Sequence, residues 1–276
     1  MQESNSTVKK AGPVRRLFAL PNEHPVKTIV VALILCLICS VLVSTAAILL
    51  KPRQLANEEL LGKQREILRA VGRYQAGMNI QAEFSNIETR LVELATGEYV
   101  SHINADHYHY ARAVADPATR VEIAPEADIA RVRAIAKYAP VYLVQEAGET
   151  RLIVLPVHGY GLWSTMYAYL AIEVDGRVAG ISFYKQGETP GLGSEIANPR
   201  WQAAWRGKRI YDDQGTVRLA LITAGKRDPD QAEFQIDALS GATITSKGVT
   251  HLIRFWLGEQ GYGPYLRRHF HVGGGQ

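Results

Sequence analysis

From Thr28 to Leu50 the chain reads TIVVALILCLICSVLVSTAAILL, without one charged side chain. Lipid offers the backbone no hydrogen-bond partner, so a single run of this kind can span a bilayer only as a helix. Twenty-three helical residues at about 1.5 Å each reach roughly 34 Å, enough to cross a hydrocarbon layer of about 30 Å. Lys27 closes one end; Lys51, Pro52 and Arg53 close the other. A cleaved secretory signal competes with this reading, because Ser44-Thr45-Ala46 resembles a small-residue cleavage site. The apolar run is longer than a signal core, however, and the leader before it is long too. The expectation is a leader at 1–27 and a permanent single-pass anchor at 28–50.

Charge bears on which side each part occupies. Lys9, Lys10, Arg15, Arg16 and Lys27 precede the span, and Lys51, Arg53, Lys63 and Arg65 follow it. The positive-inside bias leans toward a cytoplasmic leader and an exported C-terminal part. The net charge of +4 is small and gathers near the span, and no basic stripe interleaves with aromatics, so no nucleic-acid surface is expected. Cys36 and Cys39 both lie inside the apolar run. Their C-x-x-C spacing therefore reads as small polarizable side chains on a membrane helix, and nothing beyond the span can form a disulfide.

After the anchor, 51–137 reads as helical. Asn57 followed by Glu58 and Glu59 has the form of a helix start, and Leu60, Leu61, Ile67, Leu68 and Val71 recur at helical spacing up to Gly72. Ile80, Phe84, Ile87, Leu91 and Leu94 suggest a second amphipathic helix ending near Gly97, and Glu126 to Lys137, behind Pro125, a third. Beyond Tyr138 the period becomes two. VYLV, EAGE and RLIVLPV predict a hairpin whose second strand ends at Pro156, and AIEV-DG-RVAGISFY predicts another, turning at Asp175-Gly176. Thr216 to Thr223 makes a further strand. Consecutive strands with helices before and after them predict an α+β fold, with an antiparallel sheet in a domain at 138–267 and a flexible tail at 268–276.

Three glycine-bearing segments are candidates for chemistry. In DALSGATITSKGVTHLIRFWLG, the residues Val249, Leu252, Ile253, Trp256 and Leu257 share one helix face, so a helix starts near Thr245 or Ser246. Ser240, Thr243, Thr245 and Ser246 crowd its start. One reading is a capping hydroxyl with turn filler; the other is a phosphate site, favoured by unpaired N–H groups and the helix dipole. KQGETPGLGSEIANPRW is either a wide loop or a backbone that approaches something flat. HGYGLWST sets Trp163 beside Ser164, as core or as the wall of a ring-binding pocket. No P-loop or dinucleotide fingerprint is present. His107 and His109 in DHYHY lack the carboxylate or cysteine pattern of a metal site, and none is expected.

The order of these segments is more specific than any one of them. KPRQ…KQREIL, LPVHGYGLWSTMYAYLAIE, GETPGLGSEIANPRW, IDALSGATITSKGV and FWLGEQGYGPYL follow a single N-terminal span. From about residue 27 to about 267 the chain resembles the C subunit of the Na+-translocating NADH:quinone oxidoreductase, a relative of the G subunit of the Rnf complex. SGATxTS is the family's flavinylation motif, and GLWST and ETPGLG are equally characteristic. The resemblance implies FMN joined through its phosphate to Thr243 by a separate Mg-dependent flavin transferase that uses FAD. It implies that Gly241 and Ala242 keep the turn thin, that Ser240 and Thr245 donate to phosphate oxygens, and that no side chain acts as a catalytic acid or base. Leu162, Trp163 and Ser164, with Glu188, Thr189, Gly191, Leu192 and Gly193, would flank the flavin ring. It further implies a periplasmic FMN-binding domain on a bacterial inner membrane. That domain would relay electrons among the other subunits of a complex that oxidises NADH, reduces ubiquinone and expels Na+. Two positions depart from the family pattern: Gln186 stands where His is frequent, and Ala224-Gly225 where Lys-Gly is. A membrane-tethered module holding a phosphorylated ligand without a covalent bond is the alternative.

Overall fold

A computed structural model describes residue 21 and residues 24–269. Most of the leader expected at 1–27 lies outside the described residues, and the first helix begins inside it, at Pro25. Of the tail expected to be flexible at 268–276, Arg268 and His269 are helical instead, and the rest lies outside the described residues. The chain divides into two compact units at Leu60/Leu61. Helix α1 is assigned over Pro25–Ala70, and its Pro25–Lys51 portion is long and apolar enough to cross a membrane. Its apolar side chains, among them Leu33, Leu37, Leu42 and Ile48, are exposed, which suits a lipid-facing helix.

The separate helix expected to begin at Asn57 is not separate. The helix runs on through Pro52, because the residues after it are strong helix formers and continuing costs less than nucleating again. It stops where expected: Arg73 donates to the Leu68 carbonyl (2.9 Å) and Gly72 to the Arg69 carbonyl (3.0 Å), the paired bonds of a Schellman ending.

Two further helix expectations fail. The stretch from Ile80 to Leu94 splits into α2 (Ile80–Phe84) and β1 (Ile87–Glu93). The four-residue spacing of Ile87 and Leu91 is also a multiple of two, so it suits a strand as well as a helix, and pairing with the strand Tyr138–Glu146 decided it. The segment 126–137 holds turns and a strand instead of a helix. There Arg131 and Arg133 take left-handed φ values of 53° and 66°. Asp128 holds them by accepting from Val132 N and Arg133 N, both at 2.8 Å. The segment expected to be helical, 51–137, therefore contributes β1, β2 (Tyr99–Val100), α3 (Tyr110–Ala115), β3 (Arg120–Glu122) and β4 (Ala134–Ala136) as well as helix.

The sheet is as antiparallel as expected. Strands β5 (Tyr138–Glu146), β6 (Glu149–Tyr160), β7 (Thr165–Glu173) and β8 (Val178–Lys185) form a meander, and the six-stranded order is β2-β1-β5-β6-β7-β8. Strand β6 continues past Pro156 to Tyr160. Alternate residues feed two cores. Ile153, Leu155, Leu170 and Ile172 join a large core, while Val154, Tyr169 and Ala171 face Ile67, Leu68 and Ala70 of α1. After the short α4 (Pro199–Ala203), the strand expected at 216–223 shrinks to β9 (Ala220–Ile222), paired in parallel with β10 (Gln235–Asp237). Helix α5 (Thr243–Leu257) follows and buries Val249, Leu252, Ile253, Phe255 and Trp256 in the large core. Trp256 Nε1 donates to the His158 carbonyl at 2.6 Å and ties α5 to β6. Helix α6 (Gly263–His269) closes the fold, its Tyr265 hydroxyl 2.8 Å from that of Tyr99.

Candidate functional site

Helix α5 begins at Thr243, two or three residues earlier than the pattern predicts, so Thr243 is its first helical residue. The N-cap is Ala242, and no side chain caps the helix. The first N–H groups of a helix have no internal acceptor, so this start offers donors and positive dipole to an anion. Thr243 is exposed, and so is Ser240. The exposed Thr243 hydroxyl and the unpaired donors thus share one open corner. Gly241, with φ +73°, bends the chain into it. Ser246, a residue outside the expected set, anchors the turn by accepting from Leu239 N at 3.1 Å.

Helix α5 carries no Asp or Glu, while Lys247 and Arg254 stand on its exposed side. Burial, then the neighbouring Arg254, Arg131 and Lys247, push the His251 imidazole below its usual range. Thr243 and Lys247 are i, i+4 neighbours on α5, so one positive charge stands a turn beyond Thr243.

The two loops expected to flank a ring do meet at this corner, and Glu188 joins them. Its Oε2 accepts from Leu162 N (3.0 Å) and from the Thr245 hydroxyl (2.6 Å). Its Oε1 accepts from Trp163 N (3.0 Å) and Ser164 N (3.1 Å). Burial pushes the Glu188 carboxyl up, but the bonds from Thr245, Trp163, Leu162 and Ser164 outweigh it and hold the group below the usual carboxylate range. Trp163 Nε1 donates to the Thr189 hydroxyl at 3.1 Å, and Gly191 N to the Ser194 hydroxyl at 3.0 Å. Leu192 adjoins the turn before α5: a Cβ on Gly241 would lie 3.1 Å from its Cδ2. Gly193 is buried against Thr245. Trp163 (65%), Ile244 (53%) and Leu192 (44%) remain exposed, three large apolar side chains on the segments that meet at this corner. A flat ring needs walls of this kind.

Thr245 fills a different role from the one expected. It is 1% exposed and its hydroxyl is given to Glu188, so it is not free to donate to a phosphate. Gln186, where the chain departs from the family pattern, supports the same carboxylate residue: its Oε1 accepts from Glu188 N at 2.6 Å. The Tyr160 hydroxyl, unsuspected from the sequence, donates to the Trp163 carbonyl at 3.0 Å. Only its place inside HGYGLWST signalled it. The residues present therefore fit an FMN group: an exposed hydroxyl, uncapped helix donors for a phosphate, and apolar walls for a ring. Among the described residues, no cluster of His, Cys, Asp and Glu is suited to a metal.

The chain is similar to known proteins in sequence and in fold. The FMN-binding domain family matches residues 161–258, which span both loops and α5. The C subunit of the Na(+)-translocating NADH-quinone reductase of Haemophilus ducreyi is 46% identical, over 87% of this chain and 93% of that protein. The Pseudomonas aeruginosa protein of the same description is 43% identical over 88% and 95%. The crystal structure of Shewanella oneidensis NqrC superposes with a TM-score of 0.68 at 32% identity, covering 74% of this chain and 94% of that one. The C subunit from Parabacteroides distasonis superposes at 0.61 with 26% identity, over 78% and 96%.

Proposed function

The chain belongs to the family formed by the C subunit of the Na(+)-translocating NADH-quinone reductase, and on that premise we propose that it carries FMN as a phosphodiester on Thr243 and relays electrons within the complex. The observation that carries the attachment is the exposed Thr243 hydroxyl at the uncapped start of α5. In the loading step the Thr243 oxygen forms a bond to the FMN phosphorus of FAD. The pyrophosphate bond breaks, AMP leaves, and the hydroxyl proton passes to a base on the flavin transferase. The resulting phosphodiester keeps one negative charge, which the first-turn N–H groups of α5 stabilise. When bound, FMN supplies the electron chemistry, and this chain supplies position and environment. Trp163 and Leu192 would wall the ring, and Glu188 would hold the wall loops in place. Helix α1 would anchor the domain in the bacterial inner membrane, with residues after the span on the periplasmic side, beside the other subunits of the complex.

The test is co-production of the full chain with a flavin transferase, followed by a denaturing gel under ultraviolet light and peptide mass mapping. Wild type is expected to fluoresce after denaturation, with the FMN mass on the peptide containing Thr243. Thr243→Ala is expected to fold and lose all covalent flavin, because its side chain makes no capping bond. Exchanging Thr for Ala at an exposed helical position changes stability by less than about 1 kcal/mol. Ser240→Ala is expected to retain covalent flavin. Flavin released by denaturation would mean non-covalent binding, and the mass on Thr245 would overturn the site.

A further inference from the structure

Glu188 has more bonds than a ring contact needs. It is 5% exposed, and its two oxygens are taken up by three successive backbone N–H groups and one buried hydroxyl. Successive N–H groups converging in this way form an anion-binding nest. Here the anion comes from the chain itself.

We infer that Glu188 is a positioning residue that fills the nest of the 162–164 loop and clasps this loop to the first turn of α5, building the cofactor corner before any flavin arrives. The inference deepens the reading of Thr243 as the attachment site and rests on it for its functional meaning. Because the nest is filled, the N–H groups of Leu162, Trp163 and Ser164 are not available to a phosphate. The loop therefore contributes side chains, and the phosphate is left to α5. Thr245 carries the pull into the helix two residues beyond Thr243, so the orientation of the attachment turn depends on a carboxylate in a distant loop.

Two glycines argue for the clasp independently. A Cβ on Gly161 would lie 2.6 Å from Glu188 Oε1, and one on Gly193 would lie 2.6 Å from Thr245 Oγ1 and 2.9 Å from Glu188 Cβ. Neither glycine has a positive φ, so these positions need the space and not the conformational freedom. A second bond runs alongside: Gly187 N donates to the Ser164 hydroxyl at 2.6 Å. An amide cannot replace the carboxylate, because its NH2 group would face N–H donors.

The experiment uses the full chain with two readouts. Hydrogen exchange on the flavin-free protein reports the clasp directly. The amides of Leu162, Trp163 and Ser164 are expected to be protected in wild type and to exchange at least about tenfold faster in Glu188→Gln, as broken bonds open locally. The rate of covalent flavin loading by the transferase reports the consequence. Glu188→Gln and Gly161→Ala are each expected to slow loading by about tenfold or more, since displacements near 1 Å have effects of that order. Leu143→Val, a core change in β5 away from the corner, is expected to load within about twofold of wild type; it controls for general loss of stability. Gly161→Ala in a Glu188→Ala background is expected to add no further loss, because the atom it would meet is gone. The clasp is overturned if the wild-type amides exchange freely, or if Glu188→Gln loads at the wild-type rate. It is also overturned if Leu143→Val loses as much, or if Gly161→Ala is equally harmful with and without the carboxylate. Protected amides in a wild type that takes no covalent flavin would instead refute the Thr243 reading and leave the clasp standing.

Discussion

Replacing Gly241 separates the conformation of the turn before Thr243 from the room it leaves. Gly241 has a φ of +73°, where an L side chain crowds its own backbone at a cost of about 1–2 kcal/mol. The added Cβ would lie 3.1 Å from Leu192 Cδ2. Leu192 is an exposed side chain that can turn aside, so collision adds little. For Gly241→Ala the cost is therefore roughly 1–2 kcal/mol, set by the backbone. At about 2–4 °C per kcal/mol for a domain of this size, the melting temperature is expected to fall by roughly 2–8 °C. Asparagine tolerates left-handed φ better than alanine, and a β-branched side chain tolerates it worst. The expected order of melting is thus wild type, Gly241→Asn, Gly241→Ala, Gly241→Val. Flavin loading follows another rule, because any bulk at the turn obstructs the approach to Thr243. There Gly241→Asn is expected to fall below Gly241→Ala, and Gly241→Val to be folded but poorly loaded. Circular-dichroism melts of flavin-free protein and in-gel fluorescence per mole measure the two orders. A Gly241→Ala melt within about 1 °C of wild type, or an asparagine variant less stable than the alanine one, would refute the strain argument. Full loading of Gly241→Val would show that the thin turn is not required.

Acid stability and membrane topology supply two more tests. The His158 ring packs against Tyr167 at 5.6 Å and Trp256 at 4.9 Å, and burial pushes its imidazole from 6.5 down to about 4. Between those values the unfolded chain binds a proton that the folded chain refuses, so unfolding free energy rises with pH there. The contribution is complete above about pH 6.5 and is expected to be lost, to the extent of roughly 2–3 kcal/mol, as pH falls toward 4. Urea titrations at pH 7 and pH 5 are expected to show about 2 kcal/mol of it. His158→Phe is expected to flatten the difference, and an unchanged difference would place its origin elsewhere. The anchor is expected to be uncleaved, so N-terminal sequencing of membrane-extracted protein will find residues preceding Thr28, and a new terminus near Ala47 would contradict it. A reporter active only after export, fused behind Gln276, is expected to be active; activity confined to a cytoplasmic reporter would reverse the topology.

Local patterns carried a large part of this protein. The uncharged Thr28–Leu50 run, the amphipathic face from Val249 to Leu257, the stop at Gly72 and the strand hairpins after Tyr138 are all written in neighbouring residues. Each depends on periodicity or on a terminal residue whose chemistry acts within one or two turns. The family was legible for a related reason, since the residues of SGATITS are contiguous in the chain. What local pattern could not decide was pairing. Ile87 and Leu91 suit either period, and the partner strand β5 chose the extended one. The polar stretch 126–137 was kept from being a helix by strand β3 and by the Asp128 bonds that hold two arginines at left-handed φ. The role of Glu188 was the least visible. Its donors lie 24 to 26 residues away on one side and 57 on the other. Only when β6, β7 and α5 pack do they converge on one carboxylate, because a buried anion is stable only where the whole fold delivers enough N–H and O–H groups to replace water.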